Sequence, residues 1–441
     1  MTDNNMRIMR SERIPSSLFI HNRSKLAGLL PAGSMAIICS NQRMPRNGDQ
    51  YFPYRPHSDF FYLSGICQEG SILLMMPDHP DPSFREILLI LQPTQKEEVW
   101  EGPKLSQSEA AKVSGIPEVR WKDDLEEILS AVIPHVETIY NNIPEKSKLT
   151  HHHIMSYDEQ LDSTINARFP GMLKGSLAPL LSRLRMIKEP EELSAIKGAI
   201  EITGSAFERV LGVLKPGMME YDVEAEIIHA FLRSGAEGHA YDPIIASGKN
   251  ALILHYTRNN SICQSGEMLL LDFGAEYQYY AADCTRTIPV SGVFSDRQLM
   301  IYRAVQRMLR KAIPLMTAGK RMSDYVAEVA SICEKEHVDL GLYTMKDLKA
   351  QDPEKPLWKQ YMIHGVSHSL GLDVHDPFDR SMAFAPGMVL TCEPAIYLPG
   401  EGLGIRLEND VLITEDGPID LMVDIALEPE EIEQLMQTSD R

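Results

Sequence analysis

Short apolar runs separated by helical patterns dominate the first part of the chain. Met35-Ala-Ile-Ile-Cys39, Ile72-Leu-Leu-Met-Met76 and Ile87-Leu-Leu-Ile-Leu91 have the length of strands and carry no charge, as strands covered on both faces do. With helical patterns between them they predict an α/β domain with a mixed sheet over residues 1–175. Phe169-Pro-Gly-Met-Leu-Lys-Gly175 breaks the pattern, and a second domain, 176–441, is expected to follow. There, Glu189-Pro-Glu-Glu192 reads as a helix start, with Pro190 in the first turn and acids that complement the helix dipole. Leu193, Ile196, Ile200, Phe207, Leu211 and Leu214 keep helical spacing until Lys215-Pro-Gly217 ends the helix.

Further on, the period changes to that of two carboxylate-bearing ribbons. Met268 to Leu271 is apolar, Asp272 follows, and a polar middle leads to a second strand holding Asp283. A turn at Tyr277-Gln278 sets Asp272 opposite Asp283, with both side chains on one face. The second ribbon runs from Met388-Val-Leu-Thr-Cys-Glu-Pro394 through a Gly/Pro-rich loop to Ile405-Arg-Leu-Glu-Asn-Asp-Val411, pairing Glu393 with Glu408. Between the ribbons lie His364, His368 and His375. Four acids brought together repel one another, and two divalent cations are the simplest way to make the cluster tolerable in a dry cleft. A short echo between Leu214–Glu226 and Met316–Glu328, each ahead of a ribbon, suggests two related halves clasping one site.

Composition narrows the partners. A chain of 441 residues with 44% apolar and 24% charged residues suits an ordinary globular protein of two domains. Its formal charge of −19 argues against nucleic acid and against anionic membrane surfaces. Six scattered cysteines without a CxxC pair fit small buried apolar residues in a reducing compartment. The polar N-terminus precedes no apolar signal core, so a cytoplasmic location is expected. The aromatic segment Tyr51–Tyr62 reads as packing, and His151-His-His153 as a solvated loop or helix start rather than a metal site.

Together, Leu271-Asp-Phe-Gly-Ala-Glu-Tyr-Gln-Tyr-Tyr-Ala-Ala-Asp-Cys-Thr-Arg-Thr287, His364–Asp376, Cys392-Glu-Pro-Ala-Ile-Tyr397 and Arg406-Leu-Glu-Asn-Asp410 resemble the proline-specific aminopeptidases P. These are pita-bread metallopeptidases related to methionine aminopeptidase, prolidase and creatinase. Ser58–Gly65 and Val99-Trp-Glu-Gly102 resemble the family's N-terminal domain. The resemblance implies an N-terminal mixed α/β creatinase-like domain followed by a C-terminal pita-bread metallopeptidase domain.

It also implies a site. Asp272, Asp283, His368, Glu393 and Glu408 match the metal ligands, with Asp283 and Glu408 bridging two ions. The oxygen-rich set and the family point to two Mn(II) ions, with zinc, cobalt and iron as alternatives. A hydroxide activated between the ions would attack the carbonyl of the first residue, with Glu393 accepting the proton from the water. His255 and His375 match histidines that contact the substrate and the tetrahedral centre, and His364 one that lines the proline pocket. Arg406 is placed to pair with ligand carboxylates, and Tyr397 to stand near the metals. The implied substrate is a peptide with proline second, and the implied assembly a homodimer or homotetramer. A prolidase restricted to Xaa-Pro dipeptides, or a non-catalytic pita-bread binding module, are the alternatives. Two departures stand out: Ala395 where the family has glycine, and a longer charged connection from Gly341 to Tyr361.

Overall fold

A computed structural model describes residues 14–143 and 155–437 of the chain. The triplet His151–His153 lies outside the described residues. The described chain forms two compact units, divided between Arg185 and Met186.

In the first unit the three apolar runs are neighbouring strands of one six-stranded sheet. Ser34–Cys39 pairs antiparallel with Ile72–Met75, which pairs antiparallel with Glu86–Ile90. Val119–Trp121 adds a parallel strand at one edge, and Thr138–Asn141 and Leu173–Ser176 add two at the other. The sheet is therefore mixed. Met35, Ile37, Ile72, Leu74, Ile87 and Leu89 enter one buried cluster with Ile128, Leu129, Val132 and Ile165 from covering helices. Of the aromatic segment, Phe60, Phe61 and Tyr62 are buried, whereas Tyr51 and Phe52 are exposed.

The second unit is built from two similar halves. Helix Pro190–Val213 begins at Pro190, and the Glu192 carboxylate accepts from the Glu189 N–H, satisfying a donor that the helix start leaves orphaned. Helix Glu220–Arg233 packs beside it, while Asp296–Ala312 and Met322–Asp339 form the second pair. The echo seen in the sequence is a structural one. Gly217 and Gly319 both take left-handed φ, 95° and 86°, and their N–H groups donate to Cys263 and Phe384 carbonyls. Bridges Met219–Ile262 and Arg321–Ala383 follow at the same offset. One three-stranded sheet joins Ile244–Ser247, Met268–Phe273 and Cys284–Pro289; the other joins Val389–Cys392, Asn409–Thr414 and Gly417–Asp420. No described helix is long and apolar enough to cross a membrane.

Candidate metal centre and its cleft

The first ribbon differs from expectation in register. Asp272 stands opposite Thr285, not Asp283. The turn is Gln278-Tyr279, both left-handed with φ of 52° and 66°, between paired Tyr277 and Tyr280. Positive φ at both central residues is what a two-residue hairpin matching the strand twist requires. Relative to a turn at Tyr277-Gln278 this moves the partner of Asp272 by two residues. Two is the side-chain period of a strand, so the face is kept. Asp283 therefore sits diagonally from Asp272, beyond Thr285 on the same side. Gly274 allows the close crossing here, since a Cβ on it would lie 1.8 Å from the Ala282 carbonyl oxygen.

The second ribbon keeps its expected register. Val389–Cys392 against Asn409–Thr414 and Ala395–Leu398 against Leu403–Arg406 follow one continuous pairing, which sets Glu393 across from Glu408. Ala395 is a buried strand residue opposite Arg406 and takes no positive φ, so a side chain is tolerated there. The connection before His364 is ordered: it contains helix Met345–Ala350 and buried Trp358, and the Tyr361 carbonyl accepts from the Tyr397 N–H at 2.8 Å.

The ribbons are joined through the β-bridge Thr285–Glu408. Arg286, fully buried, reinforces it by donating to the carbonyls of Thr285 (3.0 Å), Glu408 (2.7 Å) and Ala426 (3.0 Å). Asp272, Asp283, Glu393 and Glu408 consequently line one cavity of about 570 Å³ together with His255, His364, His368, His375 and Arg406. Tyr397, the remaining expected residue, is buried just behind, its hydroxyl 3.0 Å from His364 Nε2 and 2.7 Å from Arg406 Nη1.

Charge in this cavity is unbalanced. His368 Nε2 lies 3.3 Å from Asp283 Oδ2 and 3.9 Å from Glu393 Oε1, and one donor atom each from Asp283, His368 and Glu408 falls within 4.8 Å of the others. Arg406 pairs with Asp272 through Nη2 and donates to Thr285 Oγ1 through Nε at 3.0 Å. Four carboxylates thus face one guanidinium. Burial and the neighbouring acids push Glu408 well above the ordinary carboxylate range, and burial with Asp283 raises Asp272 despite Arg406. Burial also works against Glu393, but the hydrogen bond and charge of His364, with His368 and Arg406, bring it below. For His368 burial is outweighed by Asp283 and Glu393, and its pKa rises to about 9. His375, ring to ring with His368 at 4.5 Å, is lowered by burial and by that neighbouring charge. Such a set is short of positive charge at its centre, and hard oxygen donors with one imidazole suit a divalent ion.

Several residues here escaped the sequence reading. The Tyr241 hydroxyl lies 2.6 Å from both Asp272 Oδ1 and Asp283 Oδ1, though its one proton serves a single acceptor at a time. Thr285 Oγ1 donates to Glu408 Oε2 at 2.7 Å, Thr391 Oγ1 accepts from the His368 N–H at 3.0 Å, and Asp410 Oδ2 accepts from the Asp283 N–H at 3.1 Å. Each of these last three stands two residues from a site acid along a strand, so the period was a usable signal. Tyr241 carried none.

Comparison with known proteins agrees with this geometry. Metallopeptidase family M24 matches residues 194–415, and the aminopeptidase P N-terminal domain matches residues 19–140. The chain is 33% identical to an Xaa-Pro aminopeptidase of Escherichia coli over 95% of this chain and 97% of that one. It is 31% identical to human Xaa-Pro aminopeptidase 3 over 90% and 80% of the two chains. Zinc-substituted E. coli aminopeptidase P in complex with product superposes with a TM-score of 0.87 at 31% identity, covering 98% of this chain and all of that one.

Proposed function

The chain belongs to metallopeptidase family M24, in its aminopeptidase P branch, and from that premise we propose that it releases the N-terminal residue from peptides whose second residue is proline. The convergence of Asp272, Asp283, His368, Glu393 and Glu408 on one cavity is the observation that carries this reading. Relatives named Xaa-Pro aminopeptidase align over nearly the whole chain, which favours this reading over prolidase. An undiminished ligand set weighs against a non-catalytic binding module.

In this proposal Asp272, Asp283, His368, Glu393 and Glu408 would hold two divalent ions, manganese in the first place. When bound, the ions supply a water of lowered proton affinity and polarise the scissile carbonyl. Glu393, whose pKa is lowered against burial by His364, His368 and Arg406, would take a proton on a carboxylate oxygen. Asp272 holds the free α-amino end, and His255 and His375 donate hydrogen bonds to the substrate and to developing charge. His364, anchored to Tyr397, lines the proline side. Arg406 balances the acids. This machinery belongs to the catalytic domain assigned to 176–441.

Self-association into a dimer or tetramer is part of the same reading. Val99 and Trp100 of the first unit, adjacent and each 79% exposed, offer an apolar spot that such a contact would cover. Five of the six cysteines are buried, which is consistent with a reducing compartment such as the cytoplasm.

The test uses metal-stripped protein supplied in turn with manganese, zinc, cobalt and iron(II), and offered an Xaa-Pro-Xaa tripeptide beside an Xaa-Pro dipeptide. Metal-dependent release of the first residue from the tripeptide is expected. Cleavage of the dipeptide alone would turn the reading to prolidase, and no cleavage with any ion would end it.

A further inference from the structure

His255 is carried by the segment 248–262, a 3-10 helix over Gly248–Leu252 followed by a loop, and is itself exposed on the cavity wall. An imidazole on such a loop is useful only if the backbone beneath it is fixed. The fixing element is one buried carboxylate at the start of helix Glu220–Arg233.

Glu220 is fully buried and accepts five hydrogen bonds from that loop and its entry. Ser247 N (2.7 Å), Ser247 Oγ (2.7 Å) and Asn250 Nδ2 (2.9 Å) reach Oε1. Tyr256 Oη and Ser261 N reach Oε2, both at 2.8 Å. Tyr256 is the residue next to His255. One helical turn on, Glu224 accepts from Asn259 Nδ2 at 2.8 Å. Asn259 takes left-handed φ of 44° and also donates to the Pro243 carbonyl and accepts from the Ile245 N–H. Two acids on one face of a helix thus grip the loop at its entry, middle and exit. Burial alone would raise Glu220, but these donors outweigh it and its pKa lies below the ordinary value, so the acceptor is charged and its bonds are strong.

We infer that Glu220 is a positioning residue of this enzyme: its carboxylate fixes the course of residues 247–261 and thereby the place of the His255 imidazole in the cavity. The inference rests on the reading that His255 meets the substrate. Glu220→Gln keeps the shape but leaves one accepting oxygen, and its amide N–H groups must then face either Ser247 and Asn250 or Ser261, whose N–H cannot turn away.

The experiment is a double-mutant cycle on the metal-loaded full chain. kcat and KM for a proline-second tripeptide are measured for the parent protein, Glu220→Gln, His255→Ala and the double variant, with bound metal and thermal midpoints recorded alongside. Glu220→Gln is expected to lower kcat/KM about 10- to 100-fold with unchanged metal content. In the His255→Ala background the same change should cost less than about threefold, while the drop in thermal midpoint is the same in both backgrounds. Independent, multiplying losses in kcat/KM would overturn the inference while leaving the functional reading intact. A His255→Ala protein as active as the parent would overturn the role of His255 and the inference with it. Should Glu220→Gln fail to fold, Tyr256→Phe, which deletes one bond of the five, enters the same cycle and is judged by the same outcomes.

Discussion

Arg406 donates to the Tyr397 hydroxyl at 2.7 Å while its other terminal nitrogen pairs with Asp272, so one planar group links the acid of the first ribbon to the His364 side of the cleft. A lysine keeps the charge but not this two-way reach. Arg406→Lys should therefore lower kcat/KM about 10- to 100-fold and Tyr397→Phe less than about tenfold, by steady-state kinetics on a proline-second tripeptide. Parent-like activity of Arg406→Lys would show that the link has no catalytic weight.

Asp283 and Glu408 present donor atoms to the same small volume as His368. Replacing either by its amide removes a charge from the proposed shared position. Asp283→Asn and Glu408→Gln are each expected to reduce turnover by at least about a thousandfold and to lower the metal bound per chain, read by elemental analysis. Full activity with full metal content would contradict the assignment.

Removing metal should also cost stability, because the four acids then face only Arg406 and the histidines. A ligand that binds the folded protein alone raises its midpoint in proportion to the logarithm of its concentration. Stripped protein is expected to melt several degrees lower, and graded manganese to restore the midpoint stepwise. A melting curve indifferent to divalent ions would count against any site at these carboxylates.

At Gly274 in the first ribbon a Cβ would strike the Ala282 carbonyl oxygen. Gly274→Ala must push the strands apart at the position opposite Asp283. A loss of about 1–3 kcal/mol in denaturant unfolding is expected, with activity falling further than that loss explains because Asp272 and Asp283 separate. An unaltered kcat/KM would mean the crossing can relax without moving the acids.

His337, fully buried between the Tyr343 and Tyr361 rings, has its pKa lowered to about 4, chiefly by burial. A histidine whose folded value lies below its unfolded value of about 6.5 binds its proton more readily when unfolded. Its contribution is thus fully present above pH 6.5 and lost as pH falls toward 4. Between pH 7.5 and 4.5 the parent should lose stability that His337→Phe retains, on the order of 2–3 kcal/mol by urea unfolding at each pH. Equal pH dependence in the two proteins would place the acid sensitivity elsewhere; His239, lowered to about 4 by burial, acts in the same direction.

What could be read before the structure was periodicity and residue type. The three apolar runs, the helix beginning at Pro190 and the two ribbons bearing Asp272, Asp283, Glu393 and Glu408 follow from patterns carried locally by the chain, whereas picking His368 out of three neighbouring histidines rested on the family resemblance. The register of the first ribbon did not, because Gln278 and Tyr279 adopt left-handed φ without the Gly or Asn that usually announces it. The error was harmless to the site because it amounted to a full strand period. Tyr241 was invisible for a different reason: its hydroxyl meets Asp272 and Asp283 from a segment 31 and 42 positions away, and a lone tyrosine has no pattern. Thr285, Thr391 and Asp410 were legible in principle, since each shares a strand face with an acid already singled out.

The reach of Arg286 to Ala426 has a bearing on how the protein comes into being. A chain emerging from the ribosome exposes the first ribbon long before the second, and the guanidinium that fastens them ends on a carbonyl close to helix Pro429–Gln437, the last among the described residues. Until the second ribbon has left the exit tunnel the acids of the first have no counterpart to close against, and until Ala426 follows the fastening guanidinium lacks one of its acceptors. Peptide-cutting capacity would arise only once the chain as far as Ala426 is free to fold, so a shorter nascent chain is spared an early protease among its neighbours.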